Sequence, residues 1–365
     1  MKSLSLFLRN IDWLVAAPVI ILVCFSLAEL YSIRLGQGAA SSEFFQKQLL
    51  FAGIGLVIFF ILALIDFHHF YSYANYLYII AVLLLIAVLI FGQTINGTRG
   101  WFGLFGFGLQ PVEFVKLILI VCLARYFAKV SVAARPMRHL VLSGIFTAIL
   151  IGLVLLQPDL GSAALLFAIW IFFLVATNVP RKYLIAISAT LIVIFGISWQ
   201  FIFKDYQRER FSTYLKPSAS SSNYNVKQAI IAVGAGGMSG RGLGFGSQSQ
   251  LKFLPEANTD FIFAVIAEEL GLIGVIVIFS CFGILLFRFV SNVSRSRNYF
   301  GSLVIIAAVG LIFIEMFINI GMNMGILPVI GIPLPFVSYG GSSLIAHLAL
   351  VGIMHSVVRR SVAKR

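Results

Sequence analysis

The chain has 365 residues, of which 60% are hydrophobic and 11% charged, with a mean hydropathy of +1.03. Soluble domains carry about a quarter charged residues, so this chain has too little polar surface to cover a water-soluble globule. Its net charge of +13 is scattered over termini and short loops, which excludes a basic nucleic-acid-binding domain.

Apolar runs long enough to cross a bilayer recur from end to end, and they are too long for the alternating strands of an outer-membrane barrel. The expected fold is all-α, a single membrane domain over 1–365 with ten transmembrane helices. The spans fall at about 13–32, 48–66, 75–92, 111–128, 139–156, 160–177, 182–203, 259–288, 300–322 and 337–358. The first carries Glu29 near its end and no small-residue cleavage site follows its core, so it reads as a span and not as a cleaved signal peptide. Basic residues cluster at Lys2 and Arg9, at Lys129, Arg135 and Arg138, at Arg181 and Lys182, at Arg288, Arg295 and Arg297, and at Arg359 to Arg365. These are the termini and the loops on one side, whereas the opposite short loops hold only Arg34, Lys47 and Arg99. The positive-inside rule then places both termini in the cytoplasm. The same charges attract anionic membrane lipid.

Between spans seven and eight, residues 204–258 form a long segment expected to be an extracytoplasmic loop. It begins polar, becomes glycine-rich ("GAGGMSGRGLGFG") and ends in "LPEANTDF". The glycine run lacks GxxxxGK[ST] and is no phosphate-binding P-loop. Its Gly-x-Gly spacing suits a loop folded back onto the membrane mouth.

Cys24, Cys122 and Cys281 each fall inside a span and form no CxxC pair, and the five histidines show no ligand spacing. No metal site is expected from them. The thirteen acids are more telling. Asp12, Glu29, Glu43, Asp66, Asp205 and Glu209 stand in loops or at span ends, where solvation is cheap. Glu113, Asp159, Asp260, Glu268, Glu269 and Glu315 stand in or at the edge of spans, where an ionisable group is costly and marks a functional candidate. In "QPVEFVK" Lys116 follows Glu113 by three residues on nearly one helical face, so the two can pair, either as a structural ion pair or with Lys116 facing an anion. Asp159 follows Pro158 in "QPDLGSA", the ordinary chemistry of a helix start, at an end shared with the long loop. Asp260 heads a helical stripe of small residues, Ala264, Ala267 and Gly271. Glu268 lies about 80° away from that stripe, and with Glu269 it serves other contacts. Asp260 could cap its helix, or act as a general base where the apolar span meets water. The ends of the same side gather Arg99, Lys116, Arg208, Arg210, Arg241 and Lys252. A cation-rich mouth beside a carboxylate suits an anionic head group on a lipid tail, such as a polyprenyl diphosphate.

The stretches "TRGWF", "QPVEFVKL", "QPDLGSA", "GAGGMSGRGLG", "LPEANTDFIFAVIAEELGLIG" and "GILPVIGIPLPFVSYGGSS" resemble, in order, those of the SEDS (shape, elongation, division and sporulation) family of RodA/FtsW type. The last leans toward RodA. The resemblance implies a ten-span peptidoglycan glycosyltransferase of the bacterial cytoplasmic membrane. It would polymerise lipid II with a class B penicillin-binding protein, inverting the donor sugar and releasing undecaprenyl diphosphate. It maps the essential acid onto Asp260 and supporting positions onto Glu113, Lys116 and Asp159, with Arg99, Lys116, Arg210 or Arg241 left to hold the diphosphate. The chain departs from the family pattern at Gly100, Val112 and Asn258; Asn258 stands where a histidine could titrate beside Asp260. The sequence neither requires nor excludes a divalent cation. A lipid II flippase or a non-catalytic scaffold would use the same greasy groove or surface.

Overall fold

The computed structural model describes residues 12–37, 39–95, 97–104, 107–130, 132, 135–201, 221–293 and 298–362. In chain order its long helices are α1 Trp13–Gln37, α2 Ala39–Leu64, α3 Phe67–Phe91, α4 Pro111–Lys129, α5 Pro136–Leu155, α6 Leu160–Ala176 and α7 Arg181–Phe201. After α7 come α8 Ser221–Gly236, the single turn α9 Ser247–Gln250, α10 Ile262–Val293, α11 Tyr299–Asn323 and α12 Gly341–Val362. Seven of these (α1, α2, α3, α5, α10, α11 and α12) contain segments long and apolar enough to cross a membrane. The other three expected spans coincide with α4, which carries Glu113 and Lys116, with the shorter apolar α6, and with α7. The fold is that of a multi-pass membrane protein.

The expectation of an all-α chain needs one correction. Between α3 and α4 lie three short antiparallel strands, β1 Gln93–Ile95, β2 Thr98–Leu104 and β3 Phe107–Leu109, in the order β1-β2-β3. Glycine alternates with larger residues there, and close packing needs it. A side chain at Gly103 would strike Gln93, and one at Gly108 would press on Trp101. A second correction concerns 204–258, which is more than a loop, since α8 and α9 lie within it.

The central helix is α11, which packs against α4, α6 and α10. α12, buried along most of its length, lies chiefly on α2. Helix faces toward lipid stay apolar, as Ile54, Val57 and Ile61 on α2 illustrate. At the end opposite the sheet, Arg360 pairs with Asp66 and both Arg359 and Arg360 donate to the Leu64 carbonyl, so the last turn of α12 closes the C-terminus of α2. Burial pushes the Asp66 carboxyl up, but bonds from the His68 amide and ring and the charge of Arg360 outweigh it and hold Asp66 below its ordinary value.

The small-residue stripe drawn below Asp260 does not exist as a continuous helix face. Asp260 precedes α10 in a turn, and α10 itself breaks at Gly271, whose φ is +65°. The glycine-rich stretch repairs the break. The amides of Leu272 and Ile273 donate to the carbonyls of Gly237 (3.0 Å) and Met238 (3.3 Å). The carbonyls of Glu268 and Glu269 accept from the amides of Arg241 (3.0 Å) and Gly242 (2.9 Å). Backbone groups orphaned at membrane depth must find such partners. The approach is close enough that a side chain on Gly271 would lie 2.3 Å from the Gly240 amide nitrogen, and one on Gly240 (φ +78°) would lie 2.1 Å from the Glu269 carbonyl oxygen. The Gly-x-Gly spacing is therefore a backbone-on-backbone splice.

Gly271→Ala should destabilise the protein by about 1–3 kcal/mol or more, from left-handed strain and lost splice bonds. Gly234→Ala, in α8 with open space around it, should be neutral or stabilising by up to about 1 kcal/mol. Thermal unfolding of the purified protein checks both, and equal midpoints for the two variants would remove the splice.

Candidate functional site

The turn that carries Asp260 is held by its backbone. Three consecutive carbonyls each find a partner from the chain between 319 and 339. The Asn258 carbonyl accepts from the Tyr339 amide at 2.9 Å, and the Thr259 carbonyl from the Ser338 hydroxyl at 2.6 Å. The Asp260 carbonyl accepts from the side-chain amides of Asn319 (3.1 Å) and Asn323 (2.9 Å). Ser338 is itself placed, accepting from the Leu334 amide, and its carbonyl accepts from Gln48. The Asn323 side-chain oxygen accepts from the Ala264 amide at 3.1 Å, so Asn323 satisfies a donor at the α10 N-terminus. That is capping work which the sequence offered as the alternative role for Asp260. Asp260 is half-buried, and its carboxylate looks toward Gly331, where a side chain would come within 3.5 Å of Oδ2. Gly331 has a φ of +79°, so the carboxylate lies close to a left-handed backbone turn in the 325–340 loop.

One helical face of α11 links this turn to a second cluster. Glu315, Asn319 and Asn323 are four residues apart and all fully buried. Glu315 accepts from Lys116 at 2.6 Å and contacts His347 Nε2 at 2.5 Å. Lys116 also pairs with Glu113 at 3.0 Å, and His347 Nδ1 lies 2.7 Å from the Ser343 carbonyl. The Glu113–Lys116 pair read from the sequence is present. Burial and double pairing make Lys116 a strut between α4 and α11. Glu315 was a candidate without a partner in the sequence, and His347 was missed. A histidine in an apolar helix was the only available signal, and it named no partner.

Asp159 accepts from the Ser162 amide (2.9 Å) and hydroxyl (2.7 Å), which caps α6, and from Gln110 at 3.3 Å, which ties that cap to the entry of α4. Arg99 donates to the carbonyls of Ile90 (2.9 Å) and Gly92 (3.2 Å), closing the C-terminus of α3. Arg241 donates to the Ala235 carbonyl and the Ser247 hydroxyl but stays exposed. Arg208 and Arg210 lie outside the described residues. Among the described residues no group of three or more His, Cys, Asp or Glu side chains is arranged to hold a metal ion.

The six signature stretches thus meet at one end of the bundle, on the sheet, at the starts of α4, α6 and α10, in the splice, and before α12. The profile of the cell cycle protein family FtsW/RodA/SpoVE matches residues 8–362. The chain belongs to that family. Among FtsW/RodA/SpoVE relatives, the peptidoglycan glycosyltransferase MrdB of Escherichia coli K12 is 38% identical over 83% of this chain and 82% of its own. Stage V sporulation protein E of Bacillus subtilis is 36% identical over 87% of each. The fold matches a solved chain from work on coordination of polymerization and crosslinking by a peptidoglycan synthase complex, with TM-score 0.82 and 30% identity over 96% of this chain and 98% of that one. It also matches the rod shape determining protein RodA of Thermus thermophilus, with TM-score 0.72 and 28% identity over 96% and 97%.

Lys116→Met should lower stability by several kcal/mol, because it strands Glu113 and Glu315 without their shared cation. Adding Glu113→Gln should recover part of that loss, and adding Glu315→Gln more. Unfolding midpoints in detergent test the series; equal midpoints throughout would show that the cluster carries no net charge coupling.

Proposed function

We propose that this chain is a peptidoglycan glycosyltransferase that polymerises lipid II for wall elongation and cell shape, with Asp260 as its general base. The reading rests on one observation above others: a half-buried carboxylate beside Gly331 whose turn is fixed through three consecutive backbone carbonyls. A base held this rigidly meets its substrate without reorganisation. The names of the relatives, MrdB among them, favour bond-making over a flippase or a scaffold.

In the proposed reaction Asp260 takes the proton from the 4-hydroxyl of the acceptor's N-acetylglucosamine. The freed oxygen pair attacks the anomeric carbon of the donor's N-acetylmuramic acid. The bond from that carbon to the diphosphate breaks with inversion, and undecaprenyl diphosphate leaves with the electron pair. Arg99, Arg210 and Arg241 are the candidate cations for the diphosphate. Arg241 is exposed but bonded to Ser247, so binding would ask it to exchange that bond for a phosphate oxygen. Lys116, Glu113 and Asp159 act at one remove, by holding α4, α6 and α11. The partner is a class B penicillin-binding protein, and the matched synthase complex supports such an assembly.

The same reading sets ten spans in the bacterial inner membrane, with both termini cytoplasmic and 204–258 outside. Cysteine placed at the exposed Lys252 of a cysteine-free variant should react with a membrane-impermeant maleimide in intact spheroplasts, and protection there would invert the map.

Asp260→Asn should keep the fold, because the three clamped carbonyls belong to the backbone and the amide is isosteric. Lipid II polymerisation by the variant reconstituted with its partner should fall by about 10²–10⁴. Strand synthesis at the wild-type rate would move the carboxylate out of the chemistry.

A further inference from the structure

Acids lie buried at two places in the bundle. Glu29, expected at a solvated span end, is enclosed beside Glu269 and its neighbour Glu268, and neutral donors from Ser32 and 244–250 bond the last two. Glu113 and Glu315 make up the other group, and there cations answer the charge. Lys116 bridges the two acids, and His347 from α12 meets the second oxygen of Glu315. All four side chains are buried, and their ion pairs among the described residues are with one another. The cavity beside Glu113, Lys116 and His347 measures about 10 Å³, room for at most one water and none for a hydrated counter-ion. The charge must therefore balance within the four side chains.

Two carboxylates and one lysine leave one negative charge unmatched. The contacts of His347 say where the missing positive charge lies. Its Nδ1 is 2.7 Å from the Ser343 carbonyl, a group that can only accept, so Nδ1 carries a hydrogen. The Ser343 hydroxyl is a longer neighbour of the same nitrogen, at 3.3 Å. Nε2 is 2.5 Å from Glu315 Oε2, while Oε1 of the same carboxylate accepts from the Lys116 ammonium at 2.6 Å. One proton lies between Nε2 and Oε2, and imidazole is ordinarily the stronger base of the two. Both ring nitrogens therefore donate, which only the imidazolium can do. Phe336 packs edge-on against the ring, with centroids 5.5 Å apart, and supplies no charge.

We propose that His347 is a positioning residue held as the imidazolium, the second cation of a neutral cluster that sets α11 and, through Asn319 and Asn323, the Asp260 turn. Glu315 stands one helical turn from Asn319 and two from Asn323, and both asparagines donate to the Asp260 carbonyl. Without the imidazolium, the cluster would keep an uncompensated carboxylate in a dry interior. α11 could relieve it only by shifting toward water, and the asparagines would shift with it. The charge state of His347 is independent of what Asp260 does, whereas its effect on the reaction rests on the reading of Asp260 as the base.

The test uses the full chain in detergent at neutral pH, with isotope-labelled histidine followed by nitrogen NMR. The wild-type His347 ring should show two protonated nitrogens, its signal assigned by its absence from the double variant Glu113→Gln with His347→Gln. His347→Gln alone keeps a donor toward Glu315 and removes the charge. It should lower the unfolding midpoint by several degrees. It should also lower kcat for lipid II polymerisation with the partner by about 10–10²-fold and leave KM unchanged, because the residue does not touch substrate. Adding Glu113→Gln removes the surplus negative charge and should restore most of the midpoint, a rescue that lost packing would not give. Should His347→Gln fail to fold, the wild-type spectrum and the midpoint of the double variant against wild type decide. Asp260→Asn should leave the His347 signal unchanged, so a failure of the catalytic reading is seen separately. Three results would overturn the proposal: a bare ring nitrogen in wild type, an unchanged midpoint or kcat in folded His347→Gln, or a double variant that melts no higher than the single one.

Discussion

The sheet end of the bundle is organised by one face of α11. Glu315, Asn319 and Asn323 project from successive turns, and none can be left unsatisfied at zero exposure. Glu315 gathers Lys116 and His347 from α4 and α12, while the two asparagines seize the Asp260 carbonyl. A buried polar stripe of this kind has few alternative packings, because any slip of α11 by one residue would bury a carboxylate against hydrocarbon. The face of α11 that holds the charge cluster therefore also positions the Asp260 backbone. Asn319 also holds the Ile332 carbonyl at 2.8 Å, so the turn and the 325–340 loop beside it are set by the same side chain.

The second constraint is the splice at Gly271. A continuous helix through that point would leave no place for the glycine-rich stretch, and a broken one without it would orphan four backbone groups in a dry interior. The two features make sense only together. Their joint result brings Ser247 to Gln250 down onto Glu268 and Glu269, which explains why two adjacent acids stand in an apolar helix.

What the sequence revealed follows from how local each interaction is. The Glu113–Lys116 pair was legible because both partners sit three residues apart on one helix, and the Asp159 cap because its acceptor and donor are equally close. Glu315 lies 199 residues from Lys116 in the chain, and no periodicity connects them. The stripe below Asp260 failed because helical spacing was carried through Gly271, whose positive φ is a tertiary outcome of the splice. The small sheet was hidden by its length: strands of three to seven residues disappear inside a hydropathy window set to the width of a bilayer. α8 was missed for a related reason, its apolar run being too short to stand out from the polar segment around it.

Arg99 and Asp159 each have a structural task at the sheet end of the bundle. Arg99 closes the end of α3 and Asp159 opens α6. These jobs are not idle. The Arg99 amide bonds the Gln157 carbonyl at 3.2 Å, and Gln110 bridges to Asp159, so the sheet, the α5–α6 corner and the entry of α4 form one rigid rim. The Gln110 backbone amide also donates to the Ser342 hydroxyl, which joins that rim to the first turn of α12, three residues beyond the Tyr339 that clamps Asn258. The rim and the Asp260 turn are thus two parts of one frame. A substrate held at either would be registered against the other, which is the geometric requirement for joining two sugars at a fixed carboxylate.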